Sequence, residues 1–187
     1  MSVDREDIAR EIYDYRRKYS AEENLLEAVI PQLCAHARAG AQCAIECPVV
    51  EVSGLLVDEQ NRVLTTPHSR RGAFPQRRLA ESDDSLRAAA LLTVVEASGT
   101  SDVWIVAGQT LPIVIEVAPQ IPGAGYAGSR LTFHYVFQTY TAADALNSKA
   151  DQTRVSWLPI GHLSSSPLGM RLVSSLLAAE DAMKDQR

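Results

Sequence analysis

The sequence has few cysteines, few aromatic residues and no long apolar segment. Its three cysteines, Cys34, Cys43 and Cys47, are an odd number in one short stretch, which is a poor disulfide framework. We therefore expect reduced thiols. No apolar run approaches the roughly 18 residues of a membrane-spanning helix, and the charged N-terminus lacks the apolar segment of a secretory signal. These absences predict a cytoplasmic protein that does not associate with membranes.

The cysteines also lack the pairing of a structural zinc site. With His36 they read C-x-H-x6-C-x3-C, whereas zinc knuckles carry C-x2-C pairs. We predict no metal there and interpret the cysteines as small side chains that fill gaps between a helix and a strand.

The balance of charged and apolar residues is typical of a globular domain. Of 187 residues, 46% are hydrophobic and 22% charged, and the formal net charge is −5. This length allows one full hydrophobic core, and the negative charge argues against a general nucleic-acid binder. We predict one domain over residues 47–187, preceded by a helical extension over residues 1–46.

The spacing of apolar residues predicts helices around a set of strands. Ile8, Ile12 and Tyr15 have helical spacing, and Ser20 with Glu23 resembles a capping box that starts a second helix. Segments rich in β-branched residues predict strands, the first two of which form a hairpin. The predicted strands are Val49 to Val57, Arg62 to Thr66, Val103 to Val106, Leu111 to Ala118, Leu131 to Tyr140 and Arg154 to Leu158; the other predicted helices are Ser85 to Ala97 and Ser166 to Met183.

Residues 74–99 carry the most informative motif, FPQRRLAESDDSLRAAALLTVVEASG. This segment resembles a Nudix box, G-x5-E-x7-R-E-U-x-E-E-x-G-U, where U is a bulky apolar residue. With Gly99 as the anchor, Glu96 matches the first of the paired glutamates. The other positions hold Arg78, Asp84, Leu92, Thr93 and Ala97, where the pattern has glycine, glutamate, arginine, glutamate and glutamate.

Segments outside the box carry the same resemblance. Pro75-Gln76-Arg77-Arg78 is similar to the Pro-Gly-Gly-His that opens the box in a group of bacterial Nudix proteins, and His134-Tyr135 to the His-Tyr of that group's following strand. Val155 to Pro159 resembles the closing Val-Arg-Trp-Phe-Pro strand. The resemblance implies an α/β protein with the Nudix-fold α/β/α sandwich and its mixed sheet.

The altered box predicts a helix that does not hold magnesium. Positions 93, 96 and 97 lie on one helical face, where a working box brings three carboxylates together on divalent cations. Magnesium requires oxygen ligands in octahedral geometry, but this chain offers Thr93, Glu96 and Ala97. We therefore expect no cofactor and interpret the chain as a ligand- or partner-binding pseudoenzyme. Asp83 and Asp84, at the start of this helix, are expected to cap it.

Four residues are candidates for acid–base chemistry. Glu96 keeps its box position, and His68, His134 and Asp151 lie at positions where the resembled proteins often carry histidine, histidine and glutamate. Histidine titrates near neutral pH, so either histidine could donate or accept a proton. The alternatives are a solvated helical residue for Glu96 and satisfied structural side chains for the histidines.

Arginines are concentrated around the box loop. Arg70, Arg71, Arg77 and Arg78 are candidates to bind a small anionic or phosphate-bearing ligand, because arginine pairs with phosphate through two hydrogen bonds. The alternative is a solvated loop surface. Tyr126, in a glycine-rich segment, could contact the ligand from a lid. A protein partner and a homodimer are further expectations.

Two other functions stay open. A repurposed, metal-independent biosynthetic enzyme needs an acid–base pair drawn from the four candidates. A residual Nudix hydrolase, acting on a nucleoside diphosphate derivative, needs displaced carboxylates to bind magnesium. For that hydrolase the displaced ligands are Glu51, Glu116 and Asp151, together with Glu96.

Overall fold

Three helices and seven strands make up the described part of the computed structural model, which covers residues 3–22, 26–27, 29–31, 48–66, 74–80, 82–119, 129–140 and 155–184. The cysteines and His36 lie outside these residues. The helices are α1 (Arg5–Lys18), α2 (Leu86–Ser98) and α3 (Pro167–Lys184). The strands are β1 (Val49–Val57), β2 (Arg62–Thr65), β3 (Gln76–Arg78), β4 (Trp104–Ile105), β5 (Val114–Ala118), β6 (Arg130–Gln138) and β7 (Ser156–Pro159).

The seven strands form one mixed sheet around the parallel pair β1 and β6. The main path runs β4-β6-β1-β2-β7, while β3 pairs with β1 and β5 pairs with β6. All the other pairings are antiparallel. The central strands are buried on both sides because helices cover both faces, which explains their long apolar runs. The α/β class with a mixed sheet is confirmed.

Two apolar clusters sandwich this sheet. Successive residues of a strand point to opposite faces, so Val52 and Leu55 of β1 belong to different clusters. Val52 packs with residues of α1 and α2, whereas Leu55 packs with Leu172 and Leu176 of α3. The predicted layers of helix, sheet and helix follow from this alternation.

Helix α1 contributes directly to the core on the Val52 face. Its Ile8, Ile12 and Tyr15 are buried in the same cluster as Val52. The capping box in this part of the chain joins Asp4 and Asp7 at the start of α1. Ser20 itself lies in a short 3-10 helix over residues 20–22, while Glu23, the other member of the predicted capping box, lies outside the described residues.

Helix α2 begins and ends at the predicted signals. The Ser85 hydroxyl accepts a hydrogen bond from the Ala88 N–H at 3.0 Å, and Gly99 follows the last turn in the left-handed conformation at φ 70°. The helix lies close against β1 at Gly54, where an added Cβ would stand 2.0 Å from Val94 Cγ2. Gly54 therefore sets the close approach of helix and sheet.

Two strands are clearly shorter than predicted, and β3 was not predicted. β4 covers Trp104–Ile105 instead of residues 103–106, and β5 starts at Val114 instead of Leu111.

None of the helices that the structure describes is long and apolar enough to cross a membrane.

Candidate functional site

Polar side chains cluster on the α3 side of the sheet, beyond the apolar cluster of Leu55. In β1 the residues that precede Leu55 on this side are Ser53 and Glu51, and they stand opposite His134 and Thr132 of β6. Residues of β3 continue this face beside β1, and residues of β5 continue it beside β6. We call this surface the polar face; it comprises Glu51, Ser53, Arg78, Glu116, Arg130, Thr132 and His134.

The centre of the polar face is buried although it is polar. Ser53 is 0% exposed and His134 4% exposed. Within the described part of the chain, Ser53 Oγ and both ring nitrogens of His134 have no hydrogen-bond partner. A buried polar atom without a partner costs about 1 to 3 kcal/mol. Ser53 and His134 are register partners in the β1–β6 pairing, and their side-chain atoms are therefore suited to hydrogen-bond a ligand or an ordered water molecule.

An acidic residue lies beside the imidazole of His134. His134 Nε2 is 3.4 Å from Glu116 Oε2, a distance within ion-pair range but longer than an ordinary hydrogen bond. The His134 ring is the main cause that lowers the pKa of Glu116 below its ordinary value of 4.5, and Arg130 also contributes. The carboxylate thus faces one ring nitrogen, while Nδ1 stays available for a proton transfer or a ligand.

Two arginines complete the polar face and balance its charge. Arg130 Nε lies 3.7 Å from Glu51 Oε2, and Arg78 stands opposite Glu51 in the β3–β1 pairing. Arg78 is exposed. The polar face therefore contains two arginines and two glutamates, and its formal charges balance when His134 is neutral.

The box-loop arginines of β3 point to opposite faces of the sheet. Arg77 stands opposite Val52, on the side of α2, and its guanidinium donates to both carboxylate oxygens of Asp83 at 2.5 and 3.0 Å. Asp83 also accepts a hydrogen bond from the Ala80 N–H at 2.7 Å. The prediction that Asp83 caps α2 was therefore wrong, because its carboxylate is bound within the loop and Ser85 caps the helix.

Helix α2 presents few oxygen ligands at the positions of the box. The Thr93 hydroxyl donates to the Ala89 carbonyl at 2.8 Å and is buried, so it points along its own helix. Leu92 is 46% exposed where the box has its arginine, and Glu96 is exposed. These residues do not fit a magnesium ion held by several carboxylates.

The displaced carboxylates do not converge with Glu96. Glu51 and Glu116 belong to the polar face, whereas α2 packs on the opposite side of the sheet at Gly54. The described residues contain no group of three or more histidines, cysteines, aspartates or glutamates that could hold a metal ion.

A separate cleft lies on the other side of the sheet, between α1 and the start of α2. It has a volume of about 240 Å³, and Glu11, Arg87 and Tyr135 are among its lining residues. The Tyr135 hydroxyl donates to Glu11 Oε1 at 2.7 Å. Burial raises the pKa of Glu11, although the hydrogen bond from Tyr135 opposes this shift. The sequence analysis did not identify Glu11 as a site residue. The only sign in the sequence is that Glu11 is a carboxylate next to the apolar stripe of α1.

Several predicted site residues lie outside the described part of the chain. These are His68, Arg70, Arg71, Tyr126 and Asp151. Of the other candidates, His134 and Arg78 lie on the polar face, whereas Arg77 and Glu96 lie on the α2 side. The predicted set is therefore divided between two faces. Sequence reasoning also passed over Ser53, whose alternation with Val52 and Gly54 could have indicated its face.

No protein-family model matches the chain, and no curated protein matches it. Among solved structures, it is similar to a possible asymmetric diadenosine tetraphosphate hydrolase from Jonesia denitrificans, at 15% identity and a TM-score of 0.47, over 71% of this chain and 94% of that one. It is also similar to the Nudix domain of Shewanella oneidensis NrtR in complex with ADP ribose, at 15% identity and 0.41, over 80% and 97%. A third neighbour is a MutT protein of the Nudix hydrolase family from Staphylococcus aureus, at 12% identity and 0.46, over 72% and 99%. At these identities the similarity concerns the fold alone.

Proposed function

We propose that this chain is a Nudix-fold protein that binds a small ligand and does not hydrolyse diphosphates with magnesium. The observation that carries this proposal is the state of the box helix. Of positions 93, 96 and 97, Glu96 alone has a carboxylate, and the Thr93 hydroxyl is buried and bonded to the Ala89 carbonyl. A hard cation that needs several oxygen ligands gains little from such a surface.

The polar face is the proposed ligand site. Ser53 Oγ and His134 Nδ1 supply buried hydrogen-bonding atoms, and Arg78 lies exposed at its edge. A ligand with a neutral polar group could bind the buried atoms while an anionic group of the same ligand contacts Arg78. Arg77 contributes to such an anion site only by leaving Asp83, because its guanidinium is already bound there.

A ligand screen combined with a turnover assay tests this proposal. We expect nucleotides or other phosphate-bearing metabolites to raise the melting temperature, and we expect Arg78→Ala and His134→Gln each to reduce that increase. Glu59→Gln, at an exposed turn, is the matched control. Magnesium- or manganese-dependent hydrolysis of a nucleoside diphosphate derivative, lost in Glu96→Gln, would overturn the proposal and support the hydrolase.

The geometry of His134 favours one alternative function, a metal-independent enzyme. His134 lies beside the Glu116 carboxylate and has a second ring nitrogen available, and a histidine next to a carboxylate is a common general acid–base pair. Such an enzyme retains turnover in the presence of a chelator and loses it in His134→Gln. Ligand binding without turnover supports the leading proposal instead.

A further inference from the structure

The cleft between α1 and α2 is distinct from the polar face. Tyr135 forms part of its wall and stands opposite Gly54, on the face of the sheet against which α2 packs. His134, the preceding residue, belongs to the opposite face. A molecule in this cleft would contact the N-terminal helix and the start of the box helix, and it would not contact the polar face.

Two opposite charges line this cleft without pairing with each other. One oxygen of Glu11 accepts the hydrogen bond from Tyr135, and one guanidinium nitrogen of Arg87 donates to the Thr110 carbonyl at 3.4 Å. In the described structure no ion pair joins Glu11 to Arg87. They are nevertheless close enough that the charge of Arg87 lowers the pKa of Glu11, against the larger effect of burial. The second Glu11 oxygen and the remaining Arg87 donors therefore keep capacity for a ligand.

Three other charged groups, Asp7, Arg10 and Asp84, also line the cleft. Arg10 and Asp7 pair with each other at 3.2 Å and are largely exposed, and Asp84 is exposed near the start of α2. The beginning of a helix favours negative charge because its N–H groups point outward. Arg87 is on the first turn of α2, so the Arg87 end of the cleft is suited to an anionic group and the Glu11 end to a cationic one.

We propose that this cleft binds a small zwitterion, with its ammonium group on Glu11 and its carboxylate on Arg87. A simple anion would leave the charge of the half-buried Glu11 carboxylate unbalanced, and a simple cation would leave the charge of Arg87 unbalanced, whereas a zwitterion supplies an opposite charge to each. The cleft volume of about 240 Å³ leaves room for a small molecule such as a free amino acid. This site is independent of the proposed function at the polar face.

Titration with ω-amino acids of increasing length tests the proposal. The probes are glycine, β-alanine and γ-aminobutyrate, and propionate and ethylammonium are the controls that carry one charge each. We expect at least one amino acid to shift the NMR signals of Arg87 and Tyr135 saturably at millimolar concentration, with no comparable shift from either control. Glu11→Gln and Arg87→Gln should each weaken that binding about tenfold or more, since each removes a charge-assisted contact.

Matched variants separate binding from folding. Glu59→Gln and Arg17→Gln remove the same charges at exposed positions away from the cleft and should leave the affinity unchanged. Glutamine at position 11 can still accept the Tyr135 hydrogen bond, so that variant should stay folded by circular dichroism. The proposal is overturned if no amino acid binds saturably, if propionate or ethylammonium binds equally well, or if the folded variants bind as the unmodified protein does.

Discussion

Arg77 and Asp83 form a two-point ion pair across the loop between β3 and α2, with guanidinium–carboxylate distances of 2.5 and 3.0 Å. The Asp83 side chain is about 10% exposed and Arg77 about 25% exposed. The pair therefore joins the end of a sheet strand to the start of the box helix in a partly dry environment. Arg77, which the sequence predicts to be an anion ligand, instead pairs with Asp83 in the loop that follows its own strand.

Asp83→Asn should lower the free energy of unfolding by about 1 to 2 kcal/mol at neutral pH, because it replaces a charge-assisted pair with a weaker one. Arg77 holds the pKa of Asp83 below its ordinary 3.8. Because the pKa of Asp83 is lowered in the folded protein, the ion pair contributes its full stabilisation above pH 3.8. This contribution is lost as the pH falls through the folded-state pKa of Asp83. Urea denaturation should show the difference between variant and unmodified protein shrinking in acid, while Glu59→Gln shows no such trend. A difference that does not change with pH would contradict this account.

His134→Gln should raise the pKa of Glu116 towards its ordinary value of 4.5. The ring of His134 is the main cause of the present lowering, and Arg130 is too weak a contributor to replace it. Carboxyl carbon NMR across the acid range measures this titration directly. The matched variant Arg130→Gln should produce a smaller rise. An unchanged Glu116 titration in His134→Gln would show that the 3.4 Å contact has no electrostatic effect in solution.

The fold could be predicted from the sequence because its signals are local. Ser85 and Gly99 mark the ends of α2, and the alternation in β1 separates Val52 from Leu55. Short strands were less predictable, since β4 contains two residues and depends on pairing with β6 rather than on its own pattern. Local propensity carries little information at that length.

The candidate site was less predictable because its contacts join distant parts of the chain. The hydrogen bond from Tyr135 to Glu11 spans 124 residues, and no local pattern relates the two. The strand register also decides that Glu51 faces away from Glu96, and register follows from the assembled sheet rather than from either segment alone. Residue types indicated which chemistry to consider, whereas tertiary pairing determined which residues meet.

Gly54→Ala should destabilise the protein by about 2 to 3 kcal/mol through overpacking. The new Cβ would stand 2.0 Å from Val94 Cγ2 and 2.9 Å from the Ala90 carbonyl oxygen. Because Val94→Ala removes the nearer atom, the double variant should be more stable than the sum of the single effects indicates. Chemical denaturation of the four proteins gives this coupling. Strict additivity would show that the cost of Gly54→Ala does not come from its contact with Val94.

Arg171→Ala should loosen the N-terminal segment from α3. The Arg171 guanidinium donates to Glu22 and, at 3.2 Å, to the Ile113 carbonyl, and it lies 3.9 Å from the centre of the Tyr19 ring. Truncation removes all three contacts, so we expect a loss of about 2 to 3 kcal/mol. Because two of these contacts reach residues that follow α1, amide exchange should accelerate in α1 more than in β6.

The stability of Arg171→Lys should lie between that of the unmodified protein and that of Arg171→Ala. Lysine keeps the charge but lacks the planar guanidinium that contacts Glu22 and Tyr19 together. The exposed neighbour Met170 supplies the control Met170→Ala. Equal acceleration in α1 and β6 would mean that Arg171 stabilises the whole domain and does not specifically hold its N-terminal helix.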